Sequence, residues 1–257
     1  MSNDPAQERP REKVLISPRY LAVSHPTDHQ QLLEIFAEDS AWSARTDASS
    51  LTVTSPCRRI TIRHDQAAVG RDPHLVISAR VEEEAPERWR TDINGNVPIE
   101  SVVTLIGTLA AELAAEPGLL ELYVDPDSWD VFDDFGLSGF ISRDGHAAVV
   151  RRRPDSTAPP IHGDTSVTWH MAASPDGLGP LWDISFTEKT PPFLTHAVAA
   201  ETLDSRPTLR STAFAFPTAV APLVTIERVA SPSPGLSAQP PHAGPPRSPE
   251  PKHPKTR

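Results

Sequence analysis

One motif occurs twice in this chain, and that duplication constrains the fold more than anything else in the sequence. Trp89-Arg-Thr-Asp-Ile93 leads to Val97-Pro98 and an apolar run from Val102. Trp182-Asp-Ile-Ser-Phe186 leads to Thr190-Pro191 and an apolar run from Phe193 to Ala200. A single offset of 93 residues aligns the two without a gap. Upstream, Ile35-Phe36 through Ala41-Trp42-Ser43 parallels Val131-Phe132 through Gly136-Leu137-Ser138 with one residue deleted. Ordered recurrence of this kind is the signature of a duplicated structural unit.

Each copy reads as strands followed by a helix. In the first, Val14, Ile16 and Tyr20 to Val23 suggest an opening strand interrupted by Pro18. Thr27 and Gln30 have capping-box spacing before Leu32 and Leu33, which predicts a short helix there. Leu51/Val53, Ile60/Ile62, Leu75/Ile77/Ala79 and Trp89/Thr91/Ile93 alternate with polar residues, as strands with one buried face do. Pro98 opens a helix whose Val102, Leu105, Ile106, Leu109 and Leu113 share one face.

The second copy is shorter. Asp144-Gly145 is a hairpin signal between Ile141 and Ala147–Val150. Val167/Trp169/Met171 and Trp182/Ile184/Phe186 flank the turn Pro175-Asp176-Gly177. Thr190 is placed to cap a helix opened by Pro191, with a thin apolar face of Leu194, Ala197 and Val198. That thin face predicts that the second copy is the less stable half unless the halves pack together, and that the first copy keeps most of its stability without the second. Strands followed by helices indicate α+β: two tandem divergent repeats, each an antiparallel sheet packed by its C-terminal helix. The sequence does not choose between sheets joined edge to edge and sheets packed face to helix.

The expected organisation is a disordered N-terminus over 1–12, a first repeat over 13–117 and a second over 118–207. An uncertain β-like extension follows over 208–229, then a proline-rich tail over 230–257. The tail holds nine prolines and, apart from Leu236, no sizeable aliphatic or aromatic residue. Such a segment buries too little apolar area to offset its ordering entropy, so disorder or polyproline II is expected.

The net charge is −10 over 257 residues, which disfavours nucleic acid and anionic membrane, since both attract through Lys and Arg. Polar residues from Met1 to Lys13 carry no secretory h-region, and the run Val102–Ala115 is too short to span a bilayer. With Cys57 the only cysteine, no internal disulfide forms. These features give a cytoplasmic expectation, with no membrane partner.

The chemistry-bearing residues have plain structural readings. Asp125, Asp127, Asp130, Asp133 and Asp134 lack calcium-loop spacing, and Asp127 or Ser128 as a helix cap explains them. His25 and His29 are four apart without a zincin glutamate, so a structural role is expected. Cys57 sits beside Arg58 and Arg59, which favour a thiolate, but no catalytic partner is detectable. Arg151, Arg152 and Arg153 form the one tight basic run. No catalytic, metal-binding or cofactor-binding set is assigned, and no nucleotide-binding or hydrolase motif is present.

Ser17-Pro18-Arg19-Tyr20-Leu21-Ala22, with the twice-used pattern Trp-x-x-x-[Ile/Phe]-x-x-x-[Val/Thr]-Pro before a helix, resembles the actinomycete family called domain of unknown function 317. The resemblance covers about Val14 to Leu203. It implies tandem copies and a bacterial setting, and carries no catalytic residues to transfer. The first copy departs from the pattern at Val97, where Thr is usual, and the second at Leu137, where Gly-Trp is more typical. The expectation is therefore a non-catalytic interaction module with a protein partner. Its rival is a nucleic-acid-associated regulator using Arg58, Arg59, Arg63, Arg151, Arg152 and Arg153 as a basic patch.

Overall fold

The computed structural model describes residues 13–24, 26–67, 74–112, 124–161, 163–211 and 220–229. The expected disordered stretches at 1–12 and 230–257 lie outside the described residues, as do His25 and Leu113. In chain order come β1 (Lys13–Ser17), a 3-10 turn (Arg19–Leu21), α1 (Pro26–Asp39), β2 (Ser43–Thr46), β3 (Ser50–Thr54), β4 (Ile60–Asp65), β5 (Leu75–Arg80), β6 (Glu87–Gly95) and α2 (Ile99–Glu112). The second half continues with β7 (Trp129–Asp134), β8 (Leu137–Ser142), β9 (Ala147–Arg152), β10 (Val167–Ala173), β11 (Trp182–Thr187) and α3 (Pro192–Leu203). β12 (Thr208–Ser211), a second 3-10 turn and β13 (Thr225–Arg228) close the described chain. The class is α+β, mostly antiparallel strands with three helices.

Ten strands form one sheet in the order β2-β3-β4-β5-β6-β11-β10-β9-β8-β7. Each half is an antiparallel meander of five strands followed by a helix. The halves join edge to edge, with β6 antiparallel to β11. At this seam Asp92 pairs with Ser185, which stands 93 residues further on, so the register is centred on the sequence offset. Gly95 ends β6 opposite Trp182 at φ +67°, and a side chain there would meet the Leu181 carbonyl. Glycine is required on both counts.

The alternation read from the sequence sets the faces. Trp89, Thr91 and Ile93 point to the buried side, with Trp182, Ile184 and Phe186 beside them. α2 and α3 cover this side and pack against each other. Val102, Leu105, Ile106 and Leu109 of α2 are buried as the helical period predicts. α3 buries more than its thin apolar stripe, adding Thr195, Ala199, Thr202 and Leu203. Its small residues allow close approach to α2 while its other side lies on the sheet. One continuous apolar core therefore spans both halves, which argues against the expected independence of the first half.

Several local expectations are corrected. β2 is exposed throughout, so no apolar alternation marks it in the sequence. Asp127 and Ser128 cap no helix: Asp125 accepts from the Asp127 N–H (3.0 Å) and the Ser128 hydroxyl (2.8 Å), closing a turn into strand β7. Thr190 does not cap α3, whose N-cap is Pro191; its hydroxyl donates to the Arg90 carbonyl instead (3.4 Å).

β1 and the β-like stretch beyond residue 207 find each other. They form a separate three-stranded sheet in the order β12-β1-β13, so the opening strand does not join the first meander. The buried Arg210 of β12 pairs with Glu100 at the start of α2 and donates to the Ala22 carbonyl (3.1 Å). Burial raises the Glu100 pKa, but Arg210 outweighs it and holds the carboxyl below its usual value. Among the described residues no helix is long and apolar enough to cross a membrane.

Candidate functional site

The two halves present matching turns at one end of each meander. In the first, the Ser55 hydroxyl accepts from the Ile60 N–H (3.1 Å) and the Ser55 carbonyl from the Arg58 N–H (2.8 Å). In the second, Ser142 makes the same two bonds to Ala147 (2.8 Å) and Gly145 (2.7 Å). Arg58 and Gly145 both have positive φ, 57° and 75°. Beyond each turn the next strand is tied back alike, Arg80 N–H to the Arg59 carbonyl and Ser174 N–H to the His146 carbonyl, both 2.8 Å. Cys57 and Asp144 thus hold corresponding places, each two residues after its serine.

In the second half this place is filled. The strap Arg19–Val23 runs between the N-terminus of α2 and the C-terminus of α3. The Trp182 indole donates to the Tyr20 carbonyl (2.8 Å), and the Tyr20 hydroxyl donates to Asp144 (2.6 Å). Burial, then the bond to Asp144, raises the Tyr20 pKa and keeps the phenol protonated. The Tyr20 ring meets Trp129 edge-on at 5.5 Å, and Leu21 is fully buried. Arg19 pairs with Glu201 and with Asp204 (3.1 Å) on α3. Ser24 ends the strap by accepting from the first N–H of α2, Ile99 (2.7 Å), which caps that helix.

In the first half the corresponding place is a cleft of about 240 Å³. Ile60, Ala79 and Trp89 of the sheet, Leu109 of α2, and Pro191 and Phe193 of α3 line it, so both halves contribute. Phe36 of α1 meets Trp42 edge-on at 5.2 Å, much as Tyr20 meets Trp129, but among the described residues no strap crosses the cleft beside Trp89. Among the described residues the Trp89 indole N–H has no acceptor, whereas that of Trp182 has the strap carbonyl.

Charge is concentrated on the rim. Arg59, Arg80 and Arg88 surround the opening, and among the described residues no carboxylate lines it and none of the three is ion-paired. Among the described residues the Arg80 side chain donates to the Glu83 carbonyl (3.2 Å). Cys57 is exposed at the mouth. Its partial burial raises the thiol pKa, but the Ser55 hydroxyl (3.3 Å) and the backbone, side chain and charge of Arg59 outweigh this and lower it to about 7.

The basic residues singled out in the sequence disperse. Arg58 pairs with Glu83 (3.3 Å), and Arg59 turns to the cleft. Arg63 is exposed on the opposite face of β4 from Ile62. Arg151 lies over the Trp169 ring (5.6 Å), Arg152 donates to the Ser156 carbonyl (3.3 Å), and Arg153 pairs with Asp133 (3.2 Å). β4 and β9 stand five strand steps apart, roughly 24 Å at the usual inter-strand spacing. Arg80 and Arg88 were not singled out, because each is an unremarkable strand-end arginine in the sequence. The signal available was Trp89, whose neighbourhood they share.

A second polar cluster is internal. His29, His64 and His74 are buried between α1, β4 and the start of β5. His29 lies 3.0 Å from both His74 and the Val97 carbonyl. A carbonyl only accepts, so His29 Nε2 carries a proton toward Val97. Burial, then the neighbouring His29 and His64, pushes the His74 pKa down to about 3. Among the described residues no group of three His, Cys, Asp or Glu side chains is placed to hold a metal ion. On the opposite face of the sheet, Arg90 pairs with Asp92 (2.6 Å) and Asn94 donates to Asp183 (3.0 Å), while Asn94 Oδ1 is buried with no donor among the described residues.

Residues 141–208, from the end of β8 through α3 into β12, match the model of the SPDY domain of unknown function (DUF317), the family the Trp–Pro motifs resemble. No curated protein and no solved structure matches the chain.

Proposed function

We propose that the protein is a non-catalytic interaction module, built from two divergent copies of one unit of five strands and a helix. Its working surface is the cleft that both copies line. The duplication is supported by the common element order, the gapless 93-residue offset and the seam centred on Asp92 and Ser185. The two serine turns, with the same hydrogen bonds, support it independently.

The observation that carries the functional reading is the unfilled cleft. It offers an aromatic floor, three arginines without carboxylate partners among the described residues, and an indole donor without an acceptor. Arginine and tryptophan dominate interface energetics. A nucleic-acid reading has less support, given the −10 net charge and the roughly 24 Å between the arginines of β4 and β9.

Panning a random peptide library against the protein tests the module. Enriched peptides that bind the native chain and not the variant Arg59→Glu/Arg88→Glu are expected. No enrichment, or enrichment indifferent to the two substitutions, would refute the module.

A further inference from the structure

The strap in the second half shows what kind of ligand this backbone frame accepts, and the cleft in the first half differs from it chiefly in charge. Both places are bounded by a sheet tryptophan, a serine turn, the N-terminus of one long helix and the C-terminus of the other. In the second half the residues around the strap are acidic: Asp144, Glu201 and Asp204. The occupant is correspondingly basic, led by Arg19, and places an aromatic–aliphatic pair on the core.

In the first half each of those groups is exchanged. Cys57 stands for Asp144. The 93-residue offset puts Thr108 and Ala111 of α2 where α3 has Glu201 and Asp204. The same turn and offset put Arg59, Arg80 and Arg88 where the second half has His146, Ser174 and Leu181. Acid is removed at three positions and base is added at three. The apolar floor is retained in Ile60, Ala79, Trp89 and Leu109.

We propose that this cleft binds an extended acidic peptide segment of a partner protein. One bulky aliphatic side chain sits over Trp89, and a backbone carbonyl accepts from the Trp89 indole, as the Tyr20 carbonyl does from Trp182. Flanking carboxylates meet Arg59, Arg80 and Arg88, whose planar guanidinium groups suit bidentate pairing. An aromatic side chain is not needed, because Phe36 already occupies the edge-on position against Trp42. Cys57 lies at the mouth, so an occupied cleft shields its thiol. The inference rests on the interaction reading above and adds the chemistry of the partner.

The test uses the full chain and three synthetic peptides. The probe is acetyl-Asp-Glu-Ala-Leu-Val-Glu-Asp-amide. One control replaces Leu-Val by Ser-Ser, and the other replaces every acid by Lys. Binding is measured by titration calorimetry, and Cys57 shielding by the rate of iodoacetamide alkylation. The acidic probe is expected to bind at least about tenfold tighter than either control, a difference of 1.4 kcal/mol, and to slow alkylation about fivefold at saturation. The Arg59→Glu/Arg88→Glu variant should reverse the preference in favour of the lysine peptide. That reversal also shows that the variant is folded.

Tighter binding of the lysine or serine peptide, with Cys57 shielded, would overturn the acidic assignment and leave the interaction reading standing. Absence of shielding by any peptide would overturn the assignment of the cleft. A dimer that shields Cys57 without peptide and is not dissociated by the probe would give the cleft to a second copy of this chain, overturning the proposal.

Discussion

The second half of the sheet closes its helix–sheet groove with the chain's own strap Arg19–Val23, whereas no described residue fills the matching groove of the first half. The backbone frames are alike down to the two hydrogen bonds of each serine turn. The difference lies in a few side chains and in one connection. Arg19–Val23 precedes α1 in sequence yet serves the far half, where Trp182, Asp144 and Glu201 receive it. A groove of this shape takes a structural segment in the second half, and the charges around it differ between the halves.

Separating the halves should have the largest effect. A chain ending at Pro117 loses β11 from β6, α3 from α2, and both partners of β1. It is expected to show no cooperative thermal transition. The sequence alone favoured the opposite outcome, and a sharp transition would restore the independence of the first half.

Acid should distinguish the halves next. With a folded pKa of about 3 against an ordinary 6.5, His74 binds fewer protons folded than unfolded between those values. Stability is therefore full above about pH 6.5 and falls as pH drops below it, by about 1.4 kcal/mol per unit for this group, or about 2 kcal/mol by pH 5. Urea unfolding at pH 7 and pH 5 measures the loss. His74→Gln, which keeps a hydrogen-bonding group beside His29, should flatten the slope. An unchanged slope would place the acid sensitivity outside this cluster.

The smallest effect isolates one hydrogen bond. Trp182→Phe removes the donor to the buried Tyr20 carbonyl, whereas Trp89→Phe removes a donor with no acceptor among the described residues. The first substitution should cost at least about 1 kcal/mol more than the second, or about 2–4 °C in Tm for a domain of this size. Equal costs would show that the strap carbonyl is not held by the indole.

Period-two alternation placed Leu51/Val53, Ile60/Ile62, Leu75/Ile77/Ala79 and Trp89/Thr91/Ile93 in strands with those residues inward. The 3.6-residue period gave α2 its buried face, and Asp144-Gly145 marked the turn between β8 and β9. These properties depend on neighbours a few residues apart, so the sequence alone determined them. It also carried the Trp–Pro recurrence and the family match over 141–208.

Tertiary structure alone decided which partners each element found. β1 pairs with β12 and β13, about two hundred residues away, and the strap lies in the far half. β6 joins β11 to fuse two meanders into one sheet. Strand edges offer the same row of N–H and C=O groups whatever their sequence, so local pattern does not choose among them. Burial of Tyr20, Leu21 and Arg210 against distant groups does, and the open cleft at Trp89, with Arg59, Arg80 and Arg88 gathered from three separate positions, follows from that choice.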